Sequence, residues 1–532
     1  MKTKLLTTIL GLFFVISTFA QQSGTCGDDL TWTLSAEGVL TISGTGRMMD
    51  YATGNLAPWS AYVSSFKSLV IEEGISHIGE RAFSSCSGFT GNLTIPNSVE
   101  TIGRMAFYSC SGFTGNLTLP GSVETIKEIA FANCTGFDGS LLIPNSLKTV
   151  ESGAFESCSG LISISIPSSL KSIGECAFGY CSSLTSIDVD PDNPNYSSEN
   201  GILYNKNKTI LLQCPNGKTG DLPPLPGTIT TIEVGAFTEC RGLTGSLILP
   251  HSVKTIGPMA FAHCSGLTGS LILPNSLKTI GSMAFFHCYG FTGNLALPNS
   301  LEVIESLAFT NCYGFTGELT LPGSVIIIER DAFAQCSGFT GNLTIPHSVI
   351  VIGHYAFADC GGFTGDLIIP NSVKMIESGA FAKCSGFDGN LTIGSSVEMI
   401  GNMAFSNCKG FTSITSEAIT PPMLLYSFYD IPNSIPLTVP AGTKSAYEAT
   451  SWSYFTNIIE ASGSDIRLPE GVKVYTQGKE IIISGIEKPF VSVFDITGRR
   501  IAEGAMNRIV VPQTGVYIVK VCETSRKLII KN

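Results

Sequence analysis

The stretch Ala82–Met105, AFSSCSGFTGNLTIPNSVETIGRM, is followed at once by AFYSCSGFTGNLTLPGSVETIKEI, and the theme then returns down the chain. Ala-Phe-x-x-Cys occurs 13 times, with its cysteines running from Cys86 to Cys408. Ten of the 12 intervals between those cysteines are 24 residues, one is 23 and one is 59. So short a period argues against a string of independent globular domains. A 24-residue unit has no second layer against which to bury its apolar side, so neighbouring units must stack in register. The chain predicts a repeat solenoid.

Two periods are visible inside one unit. Leu93-Thr94-Ile95 alternates in-out-in and predicts a short strand, which Pro96 ends. Ile102, Ala106, Phe107 and Cys110 fall on one face of a helical or 3₁₀ turn. Each unit therefore reads as strand, turn, short helix-like segment, turn. With 57 Gly and 26 Pro against 14% charged residues, the composition suits many short strands and turns rather than long helices. Parallel strands stacked this way lie about 4.8 Å apart.

The unit resembles that of the BspA-like leucine-rich repeat proteins, L-x-x-I-x-I-P-x-S-V-x-x-I-G-x-x-A-F-x-x-C. The match is nearly complete from Leu161-Ile-Ser-Ile-Ser-Ile-Pro167 through Cys181. Most other copies carry one extra residue, as in Phe113-Thr-Gly-Asn-Leu117. The resemblance extends over about residues 24–460 and includes Gly24-Thr-Cys-Gly27, Leu30-Thr-Trp-Thr33 and Ile42-Ser-Gly-Thr-Gly46. It implies a surface or secreted, adhesin-like protein and not an enzyme.

The rest of the chain is read around this array. Residues 1–20 predict a secretory signal peptide: Lys2 and Lys4, the apolar run Leu5 to Phe19, then Thr18-Phe-Ala20 before Gln21. Residues 23–65 alternate like strands and predict an N-terminal β cap, with Trp32, Trp59 and Tyr62 covering the first coil. The solenoid is assigned 66–460. Its 59-residue interval is one rung with an excursion at about 188–220, including a hairpin of Gly201-Ile-Leu-Tyr204 and Thr209-Ile-Leu-Leu212. Trp452 and Phe455 are read as closing aromatics. Residues 461–470 form a linker.

Residues 471–532 predict a separate, sandwich-like all-β domain. Its strands begin at Val472, Glu480, Val491, Arg508, Val516 and Lys527. Val493-Phe-Asp-Ile-Thr-Gly-Arg499, Thr514-Gly-Val-Tyr-Ile-Val-Lys-Val521 and Arg526-Lys-Leu-Ile-Ile-Lys531 are similar to the type IX secretion (Por) C-terminal sorting domain. That likeness implies an address label read by secretion machinery at the outer membrane. An ordinary carbohydrate-binding or fibronectin-like sandwich is the other reading.

The chemistry is sparse. A formal charge of −11 argues against nucleic acid, whose phosphates need a basic face. No later segment reads as a transmembrane helix. G-x-S-x-G, H-E-x-x-H, Walker and C-x-x-C patterns are absent from the sequence, and no cofactor or metal is called for. The regular cysteines read as reduced, inward-pointing fillers rather than disulfides. His263 and His287, each just before a Cys, suit zinc on paper, but duplication of the repeat explains them. Asp188, Asp190, Asp192 and Asn193 match a calcium loop only loosely.

What remains is surface. With Leu93 and Ile95 inward, Asn92 and Thr94 point out, and the equivalent positions build a face paved by strands. The candidate binding residues are Asn92, Thr94, Asn116, Thr118, Ile248, Ile272, Ala296, Thr320, Thr344, Ile368 and Thr392. Ile248, Ile272 and Ala296 form an apolar stretch in an otherwise amide- and hydroxyl-rich ladder. A charged column follows the strand-ending turn, with Glu100 and Glu124 succeeded by Lys148, Lys171, Lys254 and Lys278. Expected partners are host or bacterial surface proteins, including extracellular matrix, or glycans. Adhesion is the leading function, with glycan or nutrient capture and a passive surface layer as alternatives.

Overall fold

The computed structural model describes residues 21–461 and, beyond them, 472–530 apart from 478, 485, 487–488, 496–499, 513–514 and 522–523. The predicted signal peptide and nearly all of the linker lie outside the described residues. The chain divides after Thr340 into two compact units. Among the described residues it forms a β-solenoid of about 16 turns, with parallel strands and little helix. One short α-helix, Lys444–Glu448, and two 3₁₀ segments, Ser60–Ser65 and Ser451–Tyr454, are its helical elements.

The first unit opens with an antiparallel meander of Gln22–Thr25, Leu30–Leu34 and Val39–Gly44. Val39–Ile42 then pairs in parallel with Ser68–Ile71 and hands the chain over to the solenoid. Trp59 is fully buried and stacks on Phe83 at 5.5 Å and 16°, while its Nε1–H donates to the Ala82 carbonyl at 2.9 Å. Trp32 packs edge-on against it at 5.9 Å. The cap aromatics thus cover the first coil, as the sequence predicts.

Most rungs contribute two short strands; at Leu93–Ile95, where the alternation predicts one, the buried-exposed-buried pattern is kept but no strand forms, and the rung is joined there by an isolated bridge from Gly91 to Phe113. Ser140–Leu142, Ser163–Ile166 and Ser186–Val189 pair in parallel on one side. Thr101–Ile102, Thr125–Ile126, Thr149–Val150 and Ser172–Ile173 pair on the other. Between them runs the core. Phe83, Phe107, Phe131 and Phe155 stack face to face at 5.1–5.4 Å. A second column, Phe89, Phe113 and Phe137, stacks beside it and meets the first edge-on, as at Phe107–Phe113. Each such aromatic pair adds about 0.5–1.5 kcal/mol beyond the area it buries.

The cysteines complete this core as satisfied donors. The Cys110 thiol donates to the Phe83 carbonyl of the preceding rung at 2.9 Å, and Cys134 and Cys158 repeat the contact to Phe107 and Phe131. Burial pushes the Cys134 and Cys181 thiols up to about 12. They are protonated at neutral pH and act as small hydrophobic fillers with a used S–H.

One local expectation is refined. Ile102, Ala106, Phe107 and Cys110 are all buried on one side, yet their segment is a chain of turns rather than a helix. Ala106, Tyr108 and Cys110 N–H groups turn back three residues to Gly103, Met105 and Phe107, as in a 3₁₀ helix. Met105, Phe107 and Ser109 instead donate sideways to Glu128, Ala130 and Ala132 of the next rung. Positive φ at Met105 (55°) and Ser109 (58°) breaks the helical run and directs those groups outward. Every rung is therefore tied to its neighbour through its turns as well as its strands. The glycine two residues after every ladder cysteine but Cys181 allows this closeness: a Cβ on Gly314 would sit 2.0 Å from the Tyr289 carbonyl oxygen.

The excursion contains the predicted hairpin, Ile202–Asn205 with Ile210–Gln213, plus a third antiparallel strand, Tyr196–Glu199. Ile210–Leu211 rejoins the solenoid by pairing in parallel with Thr231–Ile232. In the acidic turn before it, the Asn193 side chain is fully buried. It donates to the Pro167 and Leu170 carbonyls and accepts from the Asn195 and Tyr196 N–H groups. That side chain organises the turn.

In the second unit, Val351–Ile352, Met375–Ile376, Met399–Ile400 and Met423–Leu424 pair in parallel. Leu367–Ile369, Asn390–Ile393, Ser413–Ser416, Leu437–Val439 and Ile458–Glu460 do the same. Phe357, Phe381, Phe405 and Phe428 continue a core ladder. Buried Trp452 closes it, tilted against Phe428 at 5.6 Å. Further on, Lys473–Gln477, Glu480–Ser484 and Arg508–Val510 form one antiparallel sheet. Arg500–Ala505, Phe490–Asp495, Gly515–Val521 and Thr524–Ile530 form another. Their shared core includes Ile481, Val493, Ile509 and Val519. Arg500–Ala505 is a strand the sequence did not signal, since IAEGA lacks β-branched alternation.

Candidate functional site

The outward strand face is positioned by the alternation of short strands over the core. In each copy the flanked leucine or isoleucine is buried and its neighbours lie on the outward side. Asn92, Thr94, Asn116, Thr118, Ile248, Ile272, Ala296, Thr320, Thr344 and Ile368 are exposed, and Thr392 is half-buried. Strand register brings several together. Ile248 lies beside Ile272, and Ala296 beside Thr320. In the second unit Thr344 lies beside Ile368, which lies beside Thr392 and then Thr415. Asn92, Thr94, Asn116 and Thr118 precede the excursion and sit in a different stretch of the face from Ile248 and Ile272.

The apolar stretch is real surface. Ile248 and Ile272 are 62% and 49% exposed although they sit side by side. Leu142, 67% exposed and paired between Thr118 and Ser165, belongs with them in kind. Its signal was a leucine at an outward position where most copies carry Thr or Ser.

Part of the polar ladder is already occupied. Asn294 Oδ1 accepts the Glu318 N–H at 2.9 Å, and Asp366 Oδ1 accepts the Asn390 N–H at 2.6 Å. Asn390 Nδ2 donates to the Thr392 hydroxyl at 2.8 Å and its Oδ1 accepts from Ser413. Ser140 and Ser163 hydroxyls are 2.7 Å apart. Most of these bonds run from rung to rung and commit those side chains to the framework, whereas the isoleucines and leucine of the face have no polar group to commit. In the charged column, Lys148 pairs with Glu124 at 2.5 Å, an exposed pair of the kind worth about 0–1 kcal/mol.

The two histidines considered for zinc come together, with ring centroids 4.9 Å apart. Their cysteine neighbours do not join them: buried Cys264 and Cys288 donate inward to the Phe237 and Phe261 carbonyls. Among the described residues no group of three or more potential ligands is assembled, and no helix is long and apolar enough to cross a membrane.

Stacked rungs with a paved parallel-strand face define a leucine-rich repeat solenoid. Residues 60–185, 113–217, 223–340, 316–433 and 376–464 match the BspA type leucine rich repeat region, in 6 copies, and the chain belongs to that family. Among solved structures, a leucine-rich repeat protein from Eubacterium ventriosum is similar at 25% identity and a TM-score of 0.57, covering 73% of this chain and 95% of that one. A leucine-rich repeat protein from Bacteroides ovatus matches at 21% identity and a TM-score of 0.44, over 82% and 99% of the two chains. A leucine rich cell surface protein from Faecalibacterium prausnitzii matches at 21% and 0.35, over 75% and 96%. No curated protein matches the chain.

Proposed function

We propose that the chain is an exported surface or secreted protein that binds proteins on host or bacterial surfaces, extracellular matrix included, through its outward strand face. The observation that carries this reading is the exposed pair Ile248 and Ile272, held side by side by strand register. Contiguous apolar side chains on a soluble surface mark contact sites, and stacked rungs offer a broad, preformed surface to a partner. Family membership supports the same reading, as do the signal-like residues 1–20 and the absence of a catalytic motif from the sequence. Residues 471–532 are read as the address label, on the wording of Val493–Arg499 and Thr514–Val521.

The test is biolayer interferometry of the full chain against immobilised fibrous matrix proteins and bacterial surface extracts. Saturable binding that Ile248→Asp/Ile272→Asp abolishes, with an unchanged melting curve, supports the assignment. Equal binding by the double variant would remove the face from consideration. For the tail, deletion of 466–532 is expected to stop surface display in the native host, and undiminished display rejects the address reading.

A further inference from the structure

A second surface, on the turn edge rather than the strand face, departs from the repeat. The position after the ladder cysteine holds Ser in most copies, as at Ser111, Ser159, Ser265 and Ser337. Two successive rungs carry Tyr289 and Tyr313 there instead, 41% and 48% exposed. Their rings stack at 5.3 Å and 2°. The residue before the cysteine is left-handed in every copy and varies in identity; in two adjacent rungs it is His263 and His287, φ 61° and 59°.

Both positions emerge on one surface, because Arg241 reaches across Cys240 to pair with Glu239 at 2.5 Å. Half-buried Phe286 fixes the imidazoles, edge-on to His263 at 5.4 Å and 4.1 Å from the His287 ring. The Asn311 carboxamide nitrogen lies 3.0 Å from His287 Nε2.

The outer ring faces have short neighbours. Backbone register sets Tyr289 beside the Ser265 rung and Tyr313 beside the Ser337 rung. A serine side chain is too short to cover a tyrosine ring. Charge on the edge is internally balanced: Arg241 is matched by Glu239, and burial with help from His263 and Arg241 holds His287 below the ordinary imidazole range. A half-exposed pair of stacked rings, with the charge-paired Arg241 near Tyr289 and a polar imidazole or amide two residues before each ring, suits a ligand that is apolar on one side and hydroxylated at its edge. A pyranose ring has that character. A charged peptide finds no unpaired counter-charge here, and an apolar one finds no pocket.

We propose that this edge docks a neutral glycan, with sugar rings lodged over Ser265 and Ser337 against the outer faces of Tyr289 and Tyr313. The site is separate from the strand face and stands independently of the protein-binding reading. Isothermal titration of the full chain with maltohexaose, cellohexaose and mannohexaose tests it. At least one is expected to bind saturably, with affinity reduced tenfold or more in Tyr289→Ala/Tyr313→Ala, retained in the corresponding Phe pair and unchanged in Ile248→Asp/Ile272→Asp. Thermal melting reports that each variant is folded. Failure of all three oligosaccharides to bind overturns the proposal, as does binding that survives loss of both rings. Loss of protein binding rather than sugar binding in the tyrosine variant would hand the edge to a protein partner and also overturn it.

Discussion

Phe309 and Tyr313 lie four residues apart in one rung and stack on their neighbours in nearly the same way. Inside, Phe285, Phe309 and Phe333 are 5.2–5.4 Å apart and within 9° of parallel. Outside, Tyr289 and Tyr313 are 5.3 Å apart and within 2°. Rung spacing imposes the geometry in both places, so stacking alone does not distinguish framework from function. Solvent does. The inner rings are fully buried and recur through the copies, whereas the outer pair is exposed and occupies two rungs. A position that repeats and is buried holds the stack together. One that breaks the repeat and is exposed is available to a ligand.

Alkali strains the inner stack most severely, because it acts on the cysteines of many rungs at once. A thiol held near 12 in the fold, against an ordinary value of 9.0, favours the folded state fully below pH 9. That advantage drains away as pH rises from 9 toward 12, with each ladder cysteine adding to the slope. Circular dichroism at graded pH should show cooperative unfolding within that window, and Cys→Ala at several ladder positions should flatten the dependence. A stack indifferent to pH 11 would mean that the thiols are not the buried, protonated fillers described above.

Next in size is the direct contrast within the rung. Phe309→Ala should cost about 3–5 kcal/mol by urea unfolding, as expected for a large core truncation. Tyr313→Ala should fall within about 0.5 kcal/mol of the parent. Comparable losses would show that the outer stack is structural. Gly314→Ala should cost about 1–3 kcal/mol, because its Cβ collides with backbone rather than with a movable side chain. The smallest effect is expected at Lys148→Glu, which replaces an exposed ion pair with repulsion and should shift stability by about 1 kcal/mol or less, vanishing in high salt.

Much of the fold was legible because a 24-residue period leaves few ways to bury Phe107, Cys110 and Leu117 together. The turn segment was less so. Ile102, Ala106, Phe107 and Cys110 obey a helical spacing, but the left-handed backbone at Met105 and Ser109 involves no glycine and leaves no mark in the sequence. The sideways hydrogen bonds that follow from it were therefore hidden. The outward strand positions were readable from alternation, and Ile248 and Ile272 stood out. Which amides were free was not readable, since the Oδ1 atoms of Asn294 and Asn390 are committed to residues 24 and 23 positions further along the chain. Tyr289 and Tyr313 were in plain view as departures from serine, yet their pairing needed the rung register.

The plug that Trp59 makes on Phe83 has a consequence for assembly. A ladder of identical rings ends in a surface shaped to receive the next ring, and each strand line ends in unpaired backbone groups. A chain shorn of residues 21–66 and also of the closing segment around Trp452 would offer each end to another chain's opposite end, and a head-to-tail contact of this kind does not close on itself. Trp59 and Trp452 therefore each guard one end of the stack against such a contact. Without both, growth into concentration-dependent filaments is the natural outcome of the register that makes each rung fit the last.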